Sequence, residues 1–239
     1  MEKIILYVAA CLAMLSHAAP TAAQKVDFDA EMRRCGLVDI RELDPDIRVE
    51  LKYATTDNFV GQNMYGTLRT AYLVPSFAAK VVKALRLLRE IRPDHTLLVY
   101  DAARPISVQR RMRKAVEGTG NEAYVADGTR GGRHNYGVAV DLTIADTDGR
   151  PLDMGTGFDH FGREAWVGLS NTTTYEGYAA FVDRLVRDGA ISRIAGENRK
   201  LLLDIMWRAG LRPYVKEWWH YQEPISMPRT REIYDLLDF

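Results

Sequence analysis

Hydrophobic positions along the chain follow two different spacings, which together predict a mixture of helices and strands. Around 77–88 they recur every three or four residues, as on one face of a helix, whereas around 47–51 they alternate with charged neighbours, as in a strand. Helices are predicted at about 75–92, 105–116, 175–188, 198–209 and 230–237, and strands at about 47–51, 96–100, 138–144 and 214–221. Regular strand–helix–strand alternation is missing, which favours an α+β fold over a doubly wound sheet.

The segments between these elements are polar and glycine-rich, which predicts loops rather than a boundary between domains. Residues 52–70, 124–133 and 146–162 have this character. The chain contains no internal repeat, low-complexity tract or long linker. Its 239 residues are enough for a substantial core, so we predict a single domain.

The composition is that of an ordinary globular protein, with 47% hydrophobic and 27% charged residues. These values exclude a disordered or collagen-like chain. Lysine and arginine together number 32, as do aspartate and glutamate, so the formal net charge is zero. This balance gives no electrostatic reason to expect binding to nucleic acid or to an anionic membrane, and we predict neither. It carries no information on the oligomeric state.

The N-terminus has the features of a secretory signal. A lysine precedes an apolar run at 4–15, and small residues follow it. The run is shorter than the roughly twenty residues that span a bilayer. We therefore expect a signal peptide at 1–23, cleaved after Ala23 or after Ala18, and a mature domain at 24–239. This organisation predicts export to the periplasm without stable membrane insertion.

The two cysteines, Cys11 and Cys35, are too few for a disulfide framework. Cys11 lies in the apolar run, where lipoprotein processing is a less favoured alternative to a cleaved signal, as are a retained anchor and a buried first helix. Cleavage of the signal leaves Cys35 as a single thiol, which cannot form an internal disulfide. A bound metal is then the more plausible internal cross-link.

A histidine and an aspartate seven residues apart form the first candidate for chemistry. His134 follows Gly-Gly-Arg at the end of a predicted loop, and Asp141 lies inside the apolar strand predicted at about 138–144. An unpaired buried carboxylate is costly, so Asp141 needs a partner. Metal ligation would provide one and a salt bridge in the core would provide another, and this spacing alone does not decide between them.

The second candidate lies in the aromatic segment near the C-terminus. Glu217 precedes His220 by three residues, with Trp218 and Trp219 between them. The pair resembles a general base beside a metal ligand. In a regular strand the two side chains would face opposite sides, so both can reach one site only if the segment bends, bulges or forms a helical turn. Otherwise the tryptophans are core residues and the polar pair is incidental.

Together the two clusters predict a catalytic zinc site. His134, Asp141 and His220 match the three protein ligands of such sites, which leave a fourth position for water. Glu217 is then a carboxylate that is not a ligand and can take a proton from that water. Arg104 follows a predicted buried strand and offers a cation for a developing oxyanion, although a surface arginine at a helix start is the more ordinary interpretation.

Five segments, in this order, resemble the D-alanyl-D-alanine dipeptidases, a family of VanX-type zinc peptidases related to D,D-carboxypeptidases and Hedgehog domains. The segments are Lys-Tyr-Ala-Thr-Thr-Asp-Asn-Phe at 52–59, Tyr-Asp-Ala-Ala-Arg-Pro at 100–105, His-Asn-Tyr-Gly-Val-Ala-Val-Asp at 134–141, Asp-Met-Gly-Thr-Gly-Phe-Asp at 153–159 and Arg-Pro-Tyr-Val-Lys-Glu-Trp-Trp-His at 212–220. The resemblance extends from about Leu37 to Gln222.

This resemblance implies one domain with a central, mostly antiparallel sheet flanked by helices and a zinc site at the sheet, with one ion per chain. The site residues it implies are three zinc ligands (His134, Asp141, His220), a catalytic base and acid (Glu217), a transition-state stabiliser (Arg104) and substrate-binding residues (Asp101, Tyr53, Trp219). The implied reaction is hydrolysis of the free dipeptide D-Ala-D-Ala to two D-alanine molecules. The implied pocket excludes longer peptides.

Gly132 departs from the wider superfamily, which has serine two residues before the first histidine. Because that serine helps to hold substrate, the departure concerns binding rather than metal chemistry. Two other functions stay open: a D,D-carboxypeptidase or other peptidase acting on longer peptidoglycan stems, and a catalytically silent zinc-containing binding module. The presence of Glu217 and Arg104 argues against the silent module, since a structural metal site needs neither.

Overall fold

The computed structural model of the protein describes residues 26–120, 122–126 and 128–239. The predicted signal peptide at 1–23 and Cys11 lie outside the described residues. The described helices are α1 (Phe28–Arg34), α2 (Ile40–Leu43), α3 (Pro75–Ile91), α4 (Ile106–Val116), α5 (Tyr175–Arg187), α6 (Arg193–Arg208) and α7 (Met227–Ile233). The described strands are β1 (Val38–Asp39), β2 (Arg48–Val49), β3 (Tyr72–Leu73), β4 (Thr96–Asp101), β5 (Ala139–Ala145), β6 (Arg212–Tyr214) and β7 (Glu217–Gln222).

Five of these strands form the central sheet, in the order β2-β4-β5-β7-β6. β2 runs parallel to β4, and the other neighbours are antiparallel. The remaining strands, β1 and β3, form a separate two-stranded antiparallel ribbon. The predicted α+β fold with a mostly antiparallel central sheet is therefore confirmed.

Two of the three long inner strands, β4 and β5, contain much of the core and the first polar residues of the site. Every residue of β4 and β5 is buried. Their nearly continuous apolar sequences are typical of strands in a sheet that is covered on both faces. α3 packs against β4, α6 packs against β5 and α3, and α5 packs against α6. The carboxylates of Asp101 and Asp141 interrupt these apolar strands at register-paired positions. Two adjacent buried carboxylates are costly without partners, so polar or charged side chains are expected at this end of the sheet.

The predicted long elements are present, with differences at their ends. α6 begins at Arg193, earlier than expected, because the Ser192 hydroxyl accepts a hydrogen bond from the Ala195 amide and caps the helix. α7 likewise begins after a serine cap, at Ser226, and ends at Ile233 rather than near residue 237. α1 was not predicted, since a helix that buries one side chain has little hydrophobic periodicity.

Two further observations concern the surface. Cys35 is exposed and is not part of a disulfide. Across 26–120, 122–126 and 128–239, no helix combines the length and the apolar character needed to cross a bilayer.

Candidate metal centre and active-site cavity

Strand pairing places two of the predicted ligands side by side. Asp141 in β5 and His220 in β7 are register partners, and His220 Nδ1 lies 3.0 Å from Asp141 Oδ1. Both side chains are buried. The carboxylate that stood out in an apolar strand therefore has a histidine partner on the neighbouring strand.

His134 approaches the same point from a short 3₁₀ turn at Arg133–Tyr136, just before β5. Gly137 ends the turn with φ 67°, in the left-handed region that glycine occupies without strain. The Arg104 amide donates to the His134 carbonyl at 2.9 Å, and the Asn135 side-chain amide donates to the Arg104 carbonyl at 2.8 Å. These bonds hold the histidine turn and the arginine segment together.

The ligand atoms of the three predicted zinc ligands form a compact triangle. Its sides are 3.2 Å from His134 Nε2 to His220 Nδ1, 3.0 Å from His220 Nδ1 to Asp141 Oδ1, and 3.3 Å from His134 Nε2 to Asp141 Oδ1. Tetrahedral zinc with bonds of about 2.0–2.1 Å keeps neighbouring ligand atoms about 3.3 Å apart. The triangle thus matches one face of such a tetrahedron, and two imidazoles with one carboxylate are a donor set that zinc accepts.

Each imidazole has a second partner that determines which nitrogen faces the triangle. His134 Nδ1 donates to the Ala102 carbonyl at 2.7 Å, which leaves Nε2 for a metal. His220 Nε2 donates to Gln222 Oε1 at 3.1 Å, which leaves Nδ1. Such partners fix the tautomer and orientation of metal-binding histidines. Gln222 was not predicted as a site residue. Its position two residues after His220, on the same face of a predicted strand, is the feature of the sequence that could have indicated it.

The charges of the triangle favour an ionised carboxylate between the histidines. Burial alone would raise the pKa of Asp141, but the charge of His134 and hydrogen bonds from both histidines hold that pKa well below its usual value. Burial would lower the pKa of His134, but Asp141 outweighs it and the net shift of the His134 pKa is upward. The site therefore attracts positive charge, which protons or a metal cation can supply.

An irregularity in the β6–β7 hairpin brings Glu217 to the triangle. Tyr214 pairs with Glu217, whereas its neighbour Pro213 pairs with Tyr221, so the intervening residues of β7 have no register partner on β6. Glu217 and His220 consequently reach one site, with Glu217 Oε2 3.7 Å from His220 Nδ1. Burial raises the pKa of Glu217 to about 7. This carboxyl group lies beside the predicted ligands and has the proton affinity of a base that works near neutral pH.

Arg104 is held by a buried polar network behind the cavity wall. Its Nε and Nη2 donate to Asp101 Oδ2 at 3.1 and 2.5 Å, and its Nη1 donates to Gln109 Oε1 at 2.7 Å. The Tyr65 hydroxyl donates to the other Asp101 oxygen at 2.5 Å. Asp101 is fully buried and does not line the cavity, so the structure places it behind Arg104 rather than at the substrate position.

Tyr53 and Asp159 form a second polar pair in the cavity wall. The Tyr53 hydroxyl donates to Asp159 Oδ1 at 2.9 Å, and the Tyr53 ring centre lies 5.0 Å from the guanidinium carbon of Arg104. Burial raises the pKa of Asp159 to about 7. Sequence reasoning used Asp159 only as the end of a family segment at 153–159 and missed it as a site residue, because its tyrosine partner is more than a hundred positions away.

These side chains surround one cavity of about 340 Å³. Aromatic rings close part of it, since Tyr124 stacks on Phe161 at 4.5 Å between ring centres. Trp219, predicted to bind substrate, lines the cavity. Trp218 is buried outside it, with its indole N–H donating to the Thr156 hydroxyl at 2.9 Å. A partly closed cavity of this volume suits a small ligand.

Comparison with known proteins identifies the family. A family model for peptidase M15, described as D-ala-D-ala dipeptidase, matches residues 33–173. The chain belongs to this family. A D-alanyl-D-alanine dipeptidase of Escherichia coli (strain K12) is 32% identical over 188 residues, which cover 79% of this chain and 84% of that relative. One of Enterococcus faecium is 28% identical over 209 residues, which cover 78% of this chain and 90% of that relative.

Membership of the D-ala-D-ala dipeptidase family makes the chain a hydrolase of a metal-dependent peptidase family, and the resemblance noted in the sequence is confirmed. The matched region includes Arg104, His134 and Asp141 but ends before Glu217 and His220. The pairing of β5 with β7 brings these last two residues beside the others.

Proposed function

We propose that the protein is a zinc-dependent dipeptidase that hydrolyses D-Ala-D-Ala to two molecules of D-alanine. The observation that carries the proposal is the triangle of His134, Asp141 and His220 with the Glu217 carboxylate 3.7 Å from one corner, all in one cavity. A purely structural metal site has no use for that carboxylate. The dipeptide is taken from the names of the relatives, and a cavity of about 340 Å³ suits a substrate of that size.

His134, Asp141 and His220 would hold the zinc ion. When bound there, zinc supplies polarisation of the scissile carbonyl and acidifies water so that it attacks near neutral pH. The chain itself orients the two histidines, because the Ala102 carbonyl and the Gln222 side chain each accept a hydrogen bond from one imidazole ring. Burial of the ligands also strengthens electrostatic interactions with the substrate.

Glu217 moves the proton in this proposal. Its Oε2 accepts a proton from the attacking water and returns it to the nitrogen of the leaving D-alanine. A pKa of about 7 suits both steps, because the group is partly ionised and partly protonated at working pH. The β6–β7 irregularity keeps Glu217 beside the ligand triangle rather than on the opposite face of the sheet.

Arg104 stabilises the negative charge that develops on the carbonyl oxygen. A guanidinium has five N–H donors, and Asp101 and Gln109 accept three, which leaves 5 − 3 = 2 for the substrate. The contacts with Asp101 and Gln109 already exist in the free protein. The donors are therefore preorganised, which is the condition for strong transition-state stabilisation.

Asp159 and Tyr53 accept the ammonium group of the dipeptide. Asp159 lies in the cavity wall and forms no ion pair with the described residues, and its ionised form is disfavoured by burial. An ammonium group placed against it would restore the ionised form and lower its pKa. The Tyr53 hydroxyl at 2.9 Å keeps the carboxylate oriented while the ligand binds.

The direct test is turnover. Zinc-loaded protein should release D-alanine from D-Ala-D-Ala, a chelator should abolish the release, and added zinc should restore it. A peptidoglycan pentapeptide stem ending in D-Ala-D-Ala is the comparison substrate, and faster cleavage of that stem would assign a D,D-carboxypeptidase instead. A sample that binds zinc but cleaves neither peptide would overturn the proposal in favour of a silent binding module.

We propose in addition that residues 1–23 direct export to the periplasm and that 24–239 form the mature enzyme. The support is the sequence pattern alone, an apolar run at 4–15 followed by small residues. Cell fractionation with N-terminal sequencing of the recovered protein should find a chain beginning at Gln24 or Ala19 in the periplasm. Full-length, active protein confined to the cytoplasm would contradict it.

A further inference from the structure

The active-site cavity contains a second arginine, and no carboxylate among the described residues balances its charge. Arg104 and Arg133 both line the cavity, but only Arg104 has a carboxylate counter-charge, Asp101, among the described residues. Arg133 forms no ion pair in that part of the chain. Its Nη2 donates to the Ile225 carbonyl, its Nε is buried without a partner, and its Nη1 makes no hydrogen bond with the described residues.

None of the three carboxylates that line the cavity forms an ion pair with Arg133. Asp141 contacts His134 and His220, Asp159 accepts a hydrogen bond from Tyr53, and the Glu217 carboxylate lies 3.7 Å from His220. Burial lowers the pKa of Arg133 but leaves a guanidinium charged at neutral pH. A half-buried cation without a counter-ion is unfavourable, so an anionic ligand entering the cavity gains by pairing with it.

We infer that Arg133 binds the terminal carboxylate of the peptide substrate. This assignment rests on the proposed function and names the group by which the site recognises one end of its substrate. A guanidinium suits the task because its planar N–H groups match the two oxygens of a carboxylate. The Ile225 carbonyl tethers the guanidinium, and the backbone of Arg133 is part of the turn that carries His134.

The two cavity-lining residues that precede Arg133 are glycines and offer no side chain that could bind a carboxylate. Gly132 has no side chain, and a Cβ there would lie 3.2 Å from the Ala126 Cβ, closer than ordinary van der Waals contact. Gly131 also lines the cavity and has φ 63°, which disfavours larger residues. Within 131–133 the arginine is therefore the side chain able to recognise an anion.

Binding measurements with a matched pair of ligands test the inference. The ligands are D-Ala-D-Ala and D-alanyl-D-alaninamide, which differ in carrying a carboxylate or a neutral amide at the C-terminus. Calorimetry on the zinc-loaded Glu217→Gln protein avoids hydrolysis during the titration. With Arg133 present, the dipeptide should bind about 20-fold or more tightly than the amide, as expected for a charge-assisted contact.

Arg133→Gln should reduce that preference to about 3-fold or less, and Arg133→Lys should retain part of it, since it keeps the charge but not the planar fork. Arg130→Gln is the control, because it removes the same charge at an exposed position three residues away, and it should leave the preference unchanged. Zinc content and thermal unfolding of each variant report whether the site and the fold persist.

An undiminished preference in Arg133→Gln, or no preference with Arg133 present, would overturn the inference. Failure of the proposed function gives a different pattern. A wild-type protein that prefers the carboxylate ligand but never hydrolyses it retains the Arg133 site and loses the dipeptidase assignment. A wild-type protein that hydrolyses the dipeptide and the amide equally well keeps the dipeptidase assignment and loses the Arg133 site.

Discussion

The two histidines of the triangle are oriented by partners of different kinds. His134 donates to a backbone carbonyl, which no substitution removes, whereas His220 donates to the side chain of Gln222. Of the two predicted histidine ligands, His220 is therefore the one whose orientation depends on a replaceable side chain. This difference allows the contribution of one outer contact to be measured.

Gln222→Ala should weaken zinc binding by about 10- to 100-fold, the usual effect of removing the outer partner of a metal-binding histidine. Gln222→Glu keeps an acceptor for His220 Nε2 and should bind zinc nearly as well as the wild type. Competition with a chromophoric chelator gives the affinities. Equal affinities for wild type and Gln222→Ala would show that the hydrogen bond at 3.1 Å does not orient the ring.

Glu217→Gln and His220→Ala should separate chemistry from metal binding. The first preserves the three ligands, so zinc content should stay near one per chain while the rate of D-Ala-D-Ala hydrolysis falls by about 10²-fold or more. The second removes a corner of the triangle, so zinc should be lost together with activity. Metal analysis beside the rate assay distinguishes them, and an unchanged rate in Glu217→Gln would remove that residue as the base.

At the residue scale, the sequence identified groups whose chemistry is unusual for their surroundings. Asp141 stood out because an unpaired carboxylate in an apolar strand is costly, and in the structure it is paired with His220. Gln222 and Asp159 did not stand out, because a glutamine at a strand end and an aspartate in a loop are ordinary. Their importance comes from contacts with His220 and Tyr53 that only the folded chain creates.

Among the elements, the β6–β7 hairpin resolves a conflict that was visible in the sequence. Alternation along a strand places Glu217 and His220 on opposite faces, and a shared site demanded a local distortion. The type of distortion could not be predicted, because it depends on how Pro213 and Tyr214 pair with β7. The α6 start was misplaced for a related reason: the Ser192 cap is a local signal that hydrophobic periodicity does not contain.

α6 also supports the loop that carries Asp159. Arg199 is almost completely buried and donates to the Met154 carbonyl at 2.6 Å and the Glu164 carbonyl at 2.7 Å. These two carbonyls lie on either side of Asp159 in the chain. Arg199 thus holds the loop to α6 at two points, and the neighbouring Asn198 side-chain amide adds a bond to the Asp153 carbonyl at 2.8 Å.

Arg199→Met should destabilise the protein by about 3 kcal/mol, since it leaves buried carbonyls without donors. The expected fall in Tm is roughly 6–12 °C for a chain of this size. Arg193→Met, at an exposed position of the same helix, should change Tm by little. Similar Tm values for the two variants would mean that the Arg199 contacts contribute nothing to the stability of the fold.

For the whole molecule, zinc would act as a cross-link between segments that are far apart in the chain. Its ligands come from the 3₁₀ turn, β5 and β7. At a free concentration 100 times its Kd, zinc should raise the free energy of unfolding by about 2.7 kcal/mol. Wild-type Tm should therefore rise by roughly 5–10 °C in a thermal melt, and that of His220→Ala should not. Equal shifts would place the ion elsewhere.

The stability of the metal-free protein should depend on pH through its buried carboxyl groups. Burial raises the pKa of Asp159 and of Glu217 to about 7, above their unfolded values of 3.8 and 4.5. The folded state therefore holds more protons than the unfolded state between about pH 4 and pH 7, so the free energy of unfolding decreases as pH rises through that window.

Asp159→Asn removes one of these groups, so the decline in Tm from pH 5 to pH 8 should be smaller than in the wild type. Chelator-treated samples of both proteins, melted at each pH, provide the comparison. Parallel declines would show that Asp159 does not titrate in this range.

The fold class could be predicted because each long helix and strand shows the spacing of hydrophobic residues that is typical of its type. The sheet order could not, since β7 enters between β5 and β6 through pairings that no local pattern encodes.

The place of β7 in that order has a consequence for biosynthesis. Until residues 217–222 have been made, β5 is paired with β4 alone, and the site lacks two of its four groups, Glu217 and His220. Chains fold from the N-terminus onward as they emerge, so the proposed metal site would be completed among the last events of synthesis. If the proposed site is right, a chain cut short before this hairpin would neither bind the ion nor hydrolyse a peptide, and activity would appear only after the hairpin has been made.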